Sequence, residues 1–374
     1  MSEARIDRIT NENNTAGPII SGITTFSGQN FFVPPKGTTA QRPSNCPPGS
    51  IRFNTDSAKL EYFDNLQWLE MEAFNVEIGQ AGALGNRGVF AGSRASAPTE
   101  VKNNIDYVTI STLGNGIDFG DLYVAMREFG ACSSSTRGIF GGGFAPSNSN
   151  VIQFLTFSST GNTQDFGDLT SAKRGIGGAS SSTRGIFAGG YGPTNVNTVE
   201  YITLSSAGNA VSFGSLTDTF RYHDGMNSST RAVFAGGGSP AEYSTNIIDY
   251  VTISTTGNAQ DFGDLLTSQT YANANFSNST RGIVASIGST NTIEFITIAS
   301  TGNAQDFGDN IESADLKQGT CSSTRGIVAG GRTPAQTNTI SYITILSTGN
   351  AIDFGDLSFT QDSGAALSNG HGGL

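Results

Sequence analysis

Charged residues are scarce in this sequence, and basic ones are scarcer than acidic ones. Only 14% of the 374 residues are Asp, Glu, Lys or Arg, and 20 basic against 31 acidic side chains give a net charge of −11. Proteins that bind nucleic acids need a basic surface that neutralises phosphates and releases their counterions. We therefore expect no nucleic-acid partner.

Histidine, cysteine and long apolar runs are scarce as well. His223, expected on a surface turn, and His371 are too few for a Ser-His-Asp triad or a multi-histidine copper site. The three cysteines contain no CxxC pair, which argues against zinc and disulfides; Cys132 and Cys321 fill matching positions of two repeats and are expected to be small core residues. No apolar run reaches the roughly 18 residues of a membrane span. We expect no metal, no cofactor and no membrane insertion.

Repetition is what the sequence has in abundance. A Thr-Arg-Gly block or a near copy recurs at intervals of 50, 47, 47, 50 and 44 residues, and Asp-Phe-Gly-Asp, or Ser-Phe-Gly-Ser in one copy, follows each arginine. Self-similarity with a period of about 40 to 50 residues marks a repeat architecture. The arginines of the six copies are Arg87, Arg137, Arg184, Arg231, Arg281 and Arg325.

Each repeat predicts four β-strands and no helix. The runs are a small-residue stretch, as at 131–134, then Arg-Gly-Ile-Phe with a glycine doublet, then a run apolar on both faces, as at 292–298, then the segment around Asp-Phe-Gly-Asp. A strand that is apolar on both faces is covered on both faces. Four short strands in every repeat indicate an all-β fold, a β-propeller of four-stranded blades. The order of the glycine doublet and the two aromatic positions resembles the kelch repeat.

Two ways of closing the ring fit the sequence. The segment from Ser363 to Asn369 matches only the first strand of a repeat, and Trp68 keeps the spacing of a fourth-strand aromatic before Arg87. We therefore predict seven blades, with residues 50–70 giving three strands of one blade and the C-terminal segment its innermost strand. Such mixing of the two ends removes an exposed sheet edge. A six-bladed ring, with residues 49–70 as a separate unit, is the alternative.

The N-terminal region is unlike the repeats. Residues 1–48 are polar, contain several prolines and begin without the apolar core of a signal peptide, so we interpret them as an attachment arm that orders on a partner. Residues 49–70, GSIRFNTDSAKLEYFDNLQWLE, predict three short strands joined by Asp-containing turns. This stretch resembles a small unit of tail-fibre and other virion proteins of tailed bacteriophages. The propeller is assigned to residues 49–374, with six repeats in 81–358 and a closing strand in 359–374.

The connections between strands are of two kinds. Links from first to second and from third to fourth strand meet at one face, the constant face, and hardly change between repeats. Links from second to third strand and from blade to blade meet at the other face, the variable face, and differ greatly. Binding residues are often carried by loops on a rigid scaffold, which favours the variable face for recognition. The candidate receptor-binding residues there are Phe144, Asn148, Tyr191, Asn195, Phe220, Tyr222, Tyr243 and Arg332.

The constant face repeats an arginine and a carboxylate at the same strand ends. Guanidinium and carboxylate groups form bidentate pairs, so we predict structural Arg–Asp turns there. Clustered carboxylates also suit Ca²⁺, but the copy with Ser212 and Ser215 does without them, which favours the structural role. The residues assigned to these turns are Arg137, Arg184, Arg231, Arg281, Arg325, Asp165, Asp261, Asp306 and Asp353.

The repeats carry a second resemblance. Segments close to STRGIF-GG and ITI-STGNA-DFGDL, over roughly residues 81–374, resemble those of structural and fibre proteins of marine phages, cyanophages especially. The resemblance implies a non-enzymatic virion protein, exposed on the tail or fibre. It implies attachment to other virion proteins through residues 1–48, recognition of a host-surface glycan or protein through the variable face, and a homotrimer.

Alternatives from other classes stay open. The chain fits a purely structural decoration or connector protein of the virion. A polysaccharide-degrading enzyme would need two carboxylates that face one cleft, and the variable links contain Glu100, Asp224, Glu242 and Glu312. A cellular kelch-type interaction domain would match the repeats but not the phage-like N-terminal region.

Overall fold

In the computed structural model the regular secondary structure is almost entirely β-strand, which confirms the all-β prediction. In the described part of the chain the one helical element is the 3₁₀ turn Thr39–Gln41. Within that part, no helix is long and apolar enough to cross a bilayer. The chain divides into two compact units, Met1–Asn75 and Val76–Leu374. The described residues are 34–57, 59–70, 87–94, 101–239, 244–271, 274–285, 290–332 and 334–374.

The second unit contains one four-stranded antiparallel sheet for each Thr-Arg-Gly repeat, numbered blades 1 to 6 in the order of their arginines. In every blade the strands are hydrogen-bonded in the order first, second, third, fourth. The first strands pack against one another in a closed circuit, from blade 1 through blade 6 and back to blade 1. The predicted β-propeller of four-stranded blades is therefore confirmed.

The blade strands follow, each blade from its first to its fourth strand. Blades 1 to 3 are Ala365–Ser368, Arg87–Arg94, Val101–Thr109 and Ile117–Asp121; Gly130–Ser133, Arg137–Gly141, Val151–Thr156 and Gln164–Asp168; and Gly177–Ser180, Arg184–Ala188, Thr198–Thr203 and Val211–Ser215. Blades 4 to 6 are Asp224–Asn227, Arg231–Ala235, Thr245–Thr252 and Gln260–Gln269; Asn275–Ser277, Arg281–Val284, Thr292–Thr297 and Gln305–Asp309; and Gln318–Cys321, Arg325–Ala329, Thr337–Thr344 and Ile352–Gln361.

The C-terminal strand closes the ring. Ala365–Ser368 pairs antiparallel with Arg87–Arg94, so that Leu367 lies opposite Val89, and it supplies the first strand that the repeat at Arg87 lacks. The prediction of an innermost C-terminal strand is confirmed. The prediction that this strand joins residues 50–70 is wrong, because its partner is Arg87–Arg94. The described residues form seven four-stranded sheets, as predicted, and six of these form the ring.

The seventh sheet belongs to the first unit and is complete without the C-terminal strand. Its strands are Lys36–Gly37, Ile51–Asn54, Lys59–Phe63 and Trp68–Glu70. The last three are the predicted strands, and Lys36–Gly37 adds to them in parallel. The end of the predicted arm, residues 34–48, is thus part of this unit, whereas residues 1–33 lie outside the described residues. Trp68 donates to the carbonyl of Pro43 at 3.1 Å, so it is not a propeller aromatic.

The propeller core lies between neighbouring blades. In the third strand of blade 5 and just after it, Ile293 and Phe295 on one face and Ile296 and Ile298 on the other are all buried, as the two-sided apolar pattern predicts. In each blade a third-strand aromatic meets the Asp-Phe-Gly-Asp phenylalanine or its counterpart edge-on, at centroid distances of 5.9–6.1 Å. Aromatic contacts of this geometry add to the free energy gained by burial.

Candidate binding surface on the variable face

The constant-face arginines join neighbouring blades. Each guanidinium stacks over the third-strand aromatic of its own blade, as Arg184 does over Tyr201 at 4.3 Å. Each then donates to a backbone carbonyl of the next blade, as Arg184 does to Ile253 at 2.7 Å. The circuit is complete, because Arg325 of blade 6 reaches the carbonyl of Ile110 in blade 1 at 2.9 Å.

The predicted Arg–Asp turns are therefore corrected. Among the described residues, no ion pair joins Arg137, Arg184, Arg231, Arg281 or Arg325 to Asp165, Asp261, Asp306 or Asp353. The physical reason is that each guanidinium is held between a ring and a desolvated carbonyl of the next blade, both of which favour a planar cation. The first Asp of each block is exposed instead.

The Asp-Phe-Gly-Asp block works through its backbone. In blade 2 the N–H of Asp168 donates to Asn209 Oδ1 of blade 3 at 3.0 Å, and the other five blade junctions repeat this bond. At the blade with serines the N–H of Ser215 donates to Asn258 at 3.2 Å, which explains why the carboxylates are dispensable. The glycine is required because a Cβ on Gly167 would lie 2.5 Å from the carbonyl oxygen of Gly208.

A buried polar side chain in the third strand forms a further bond between blades, which sequence reasoning missed. In blade 5, Glu294 accepts from the N–H of Leu266 at 2.8 Å, and in blade 4, Asp249 accepts from the N–H of Thr217 at 2.8 Å. Burial raises the pKa of both carboxyl groups above their usual range. Blade 2 has Gln153 at this position, which accepts from the N–H of Val124 at 3.2 Å. The sequence signal for these bonds was a polar residue in the otherwise apolar third run of the repeat.

On the variable face, a reciprocal backbone pair recurs in front of several blades. The residue three before the first strand exchanges two hydrogen bonds with the residue that follows the glycine doublet after the second strand. In blade 3 the Arg174 N–H donates to Tyr191 O at 3.0 Å and the Tyr191 N–H donates to Arg174 O at 2.7 Å. We call this paired position the rim slot. The pairs are Arg127 with Phe144 in blade 2, Arg174 with Tyr191 in blade 3, Arg221 with Gly238 in blade 4 and Asp315 with Arg332 in blade 6.

The rim slots of blades 2 to 4 place arginines and aromatic rings in alternation. Arg174 lies between Phe144 and Tyr191, with its guanidinium carbon 5.1 and 5.3 Å from the two ring centroids. Arg221 lies between Tyr191 and Tyr222, at 5.3 Å from each centroid. We call this continuous surface the arginine–aromatic ladder; its members are Arg127, Phe144, Arg174, Tyr191, Arg221 and Tyr222.

The carboxylate of Glu128 contacts three residues of the ladder. It lies 2.5 Å from Arg127 and 3.3 Å from the Nε of Arg174, and it accepts from the Tyr222 hydroxyl at 3.2 Å. Burial, and then the charge of Glu128, raises the pKa of Tyr222 to about 12, so the hydroxyl remains a donor at neutral pH. All six ladder residues are partly exposed.

A belt of backbone hydrogen bonds holds these side chains in place. The N–H of Glu128 donates to Ser363 O at 2.6 Å, that of Gly175 to Glu128 O at 2.6 Å and that of Tyr222 to Gly175 O at 2.8 Å. Glu128 and Tyr222 have φ of 58° and 57°, a region that non-glycine residues rarely adopt. Strained residues persist where the surrounding structure holds them, and they cluster at functional sites.

The predicted site residues divide into two groups. Phe144, Tyr191 and Tyr222 are brought together in the ladder. Asn148 and Asn195 instead tie neighbouring blades, since Asn148 Nδ2 donates to the carbonyls of Tyr191 and Gly192 at 3.1 Å and Asn195 Nδ2 donates to that of Gly238 at 3.4 Å.

Phe220, Arg332 and Tyr243 do not join the ladder. Phe220 is only 3% exposed and packs in the core, so its assignment to a recognition surface is corrected. Arg332 lies in the rim slot of blade 6, and Tyr243 lies outside the described residues. The arginines of the ladder were missed, because two of them, Arg174 and Arg221, also stack on a ring of the preceding blade.

The C-terminal tail enters the axial channel of the propeller, which the first strands line, at the constant face. His371 lies 2.8 Å from Ser133 O and 2.8 Å from Asn227 Nδ2, and burial lowers its pKa to about 4. Around it the last residues of the first strands are linked to one another through side-chain bonds, such as Ser180 Oγ to Ser133 O at 2.9 Å. Cys321 belongs to this ring and is buried, as is Cys132, which confirms their predicted role as core residues.

Two further sequence expectations concern titratable residues. His223, expected on a surface turn, is 2% exposed and lies between Phe220 and Phe234, and burial lowers its pKa to about 4. Of the carboxylates considered for glycoside hydrolysis, Asp224 lines the axial channel and Glu312 accepts from Thr337 at 3.3 Å. Glu100 and Glu242 lie outside the described residues.

Comparisons with known proteins do not place this chain in a family. No family model matches it, and no curated protein matches it significantly.

Proposed function

We propose that this chain is a non-enzymatic attachment protein of a bacteriophage particle that recognises a glycan of the host surface through the variable face. On this proposal the protein is exposed on the tail or fibre, is anchored to other virion proteins by residues 1–48, and acts as a homotrimer. The resemblances of residues 49–70 and of the six repeats support the virion assignment.

The observation that carries glycan recognition is the arginine–aromatic ladder. Its rings are partly exposed and are stacked by guanidinium groups, while the belt and the rim slots hold their backbone. The guanidinium groups that stack on the rings keep their N–H edges for the oxygen acceptors of a sugar, to which planar guanidinium groups donate in a fixed geometry. A surface that is already ordered loses little conformational entropy on binding.

The test is binding of the full chain to host cells and to lipopolysaccharide purified from them. We expect the wild-type protein to bind both, and Tyr191→Ala to reduce binding about tenfold or more, as for a central aromatic contact. Leu113→Ala removes an exposed apolar side chain from the constant face and serves as the control, with binding unchanged.

Two results would contradict the proposal. If wild-type protein binds neither cells nor lipopolysaccharide, while immunogold labelling finds it on intact particles, it is a structural decoration or connector protein. If both substitutions leave binding unchanged, recognition does not use the variable face.

A further inference from the structure

The rim slots on two sides of the propeller contain different pairs of side chains, arginine with an aromatic ring on one side and aspartate with arginine on the other. In blades 2 and 3 the residue three before the first strand is an arginine and its partner is aromatic. In blade 6 the order is acid before arginine, with Asp315 opposite Arg332. The rim slot of blade 1 has the same acid–arginine pair as that of blade 6. Arg94 donates its N–H to Asp362 O at 3.2 Å, and its guanidinium pairs with the Asp362 carboxylate at 2.8 Å. The slot of blade 5 includes residues outside the described ranges.

The charge balance of the two sides differs accordingly. In blades 6 and 1 each slot has one arginine and one aspartate. In the ladder, Arg127 and Arg174 share one carboxylate, that of Glu128. Among the described residues, Arg221 has no ion-pair partner, and its guanidinium stacks on the Tyr191 and Tyr222 rings. Counted over Arg127, Arg174, Arg221 and Glu128 alone, the ladder has an excess of two positive charges, on a protein with a net charge of −11.

This excess has a free-energy cost that an anion would relieve. Arg174 and Arg221 both lie 5.3 Å from the centroid of the Tyr191 ring, so two like charges are held against one side chain. Like charges at short range repel each other, and the repulsion is stronger where burial excludes water. A guanidinium that stacks on a ring keeps its N–H edge free, and this edge matches the two oxygens of a carboxylate or phosphate.

We propose that the glycan recognised by the variable face is acidic, and that its carboxylate or phosphate binds between Arg174 and Arg221 beside Tyr191. The aromatic rings of the ladder contact the sugar, and the guanidinium groups set the requirement for negative charge. The inference rests on the proposed function, since it names the ligand class of the same surface.

The experiment compares three soluble oligosaccharides by titration calorimetry on the full chain. These are an oligogalacturonate with carboxylates, a phosphorylated oligomannose and a neutral oligogalactose. We expect at least one acidic ligand to bind about tenfold more tightly than the neutral one, with an affinity that falls as salt is raised. The two acidic arms distinguish a carboxylate from a phosphate ligand.

Three variants locate the anion. Arg221→Gln should weaken the acidic ligand about tenfold, as expected for loss of a charged hydrogen bond of about 1.4 kcal/mol, and leave the neutral ligand unchanged. Glu128→Gln, which removes the competing carboxylate, should tighten the acidic ligand several-fold. Lys102→Gln makes the same change of charge on the third strand of blade 1 and should change neither.

The outcomes separate the two proposals. Equal binding of neutral and acidic ligands, with no effect of Arg221→Gln, overturns the requirement for an anion and leaves glycan recognition standing. Absence of binding to all three ligands and to purified lipopolysaccharide overturns both. Equal weakening by Arg221→Gln and Lys102→Gln would reveal only a general effect of charge and would also overturn the assigned site. Thermal unfolding of each variant checks that weaker binding does not result from a failure to fold.

Discussion

The two faces of the propeller use the same backbone framework in different ways. On the constant face every junction repeats the same side-chain bonds. An arginine of one blade donates to a carbonyl of the next blade, and an asparagine of that next blade accepts from an N–H of the first. On the variable face the backbone pairs recur, but the side chains that they carry change from arginine and tyrosine to aspartate and arginine. Repetition in this sequence therefore marks the bonds that hold blades together, and variation marks side chains that the ring does not need.

Removal of the closing strand should have the largest effect. Deletion of residues 364–374 takes the first strand from blade 1 and the tail from the axial channel, so we expect a loss of more than about 5 kcal/mol of stability or failure to fold. Circular dichroism and thermal unfolding measure this. Removal of Leu374 alone is the control, and an unchanged melting temperature for the long deletion would show that the ring does not depend on this strand.

A smaller effect separates steric from conformational requirements on the constant face. Gly167 and Gly161 have nearly equal φ of 146° and 148°, but only at Gly167 would a Cβ meet the next blade. We expect Gly167→Ala to cost about 3 kcal/mol and Gly161→Ala about 1 kcal/mol, because only the first adds overpacking to backbone strain. Chemical denaturation of both variants provides the comparison. Equal losses would mean that the close approach of Gly208 to Gly167 has no energetic weight.

A pair of arginines compares the two faces directly. Arg231 donates to the carbonyl of Ile298 in the next blade at 2.9 Å. The guanidinium of Arg221 stacks on Tyr191 and donates to no carbonyl of the described residues. We expect Arg231→Gln to lower stability by about 2 kcal/mol, because it leaves a carbonyl without a charged donor, and Arg221→Gln by less than about 1 kcal/mol. Denaturation midpoints measure both. If Arg221→Gln costs as much as Arg231→Gln, the ladder is part of the scaffold.

The smallest effect concerns pH. Burial raises the pKa of Glu294 in the folded state, so between the unfolded pKa, near 4.5, and the folded pKa the native state binds more protons than the unfolded state. This contribution to stability is present below the unfolded pKa and is lost as pH rises through the folded pKa. The Glu294→Gln variant has the same side chain as Gln153 at the equivalent position of blade 2, and an amide does not titrate. Its stability should therefore not fall in this pH range for this reason.

We therefore expect Glu294→Gln to gain stability relative to wild type as pH rises from 4 to 7. Urea unfolding at both pH values measures the difference. Gln153→Glu is the reciprocal control and should introduce the loss. A constant difference between variant and wild type across this range would show that Glu294 does not titrate with a raised pKa.

Much of the fold was predictable because its signals are local. The two-sided apolar run around Phe295 and the small-residue run of the first strand each identify a strand within one repeat. The C-terminal segment was recognisable as a first strand for the same reason. Its partner was not, because Trp68 happens to lie at the spacing of a fourth-strand aromatic although its indole binds Pro43.

The candidate site was predictable only in part. The variable links pointed to Phe144, Tyr191 and Tyr222, but burial removed Phe220 and the blade contacts engaged Asn148 and Asn195. The arginines of the ladder lie in blade-to-blade links, and nothing in one repeat shows that they stack on rings of another.

The sequence by itself determined the period, the four strands of each blade and the division into a constant and a variable face, because these follow from patterns within about 50 residues. Only the tertiary structure decided which groups meet. Arg325 reaches Ile110 across 215 residues, and the carboxylates expected to bind such arginines stay in solvent. Ring closure brings distant segments side by side, and the desolvated carbonyls and aromatic faces found there compete successfully with the nearer carboxylates for each guanidinium.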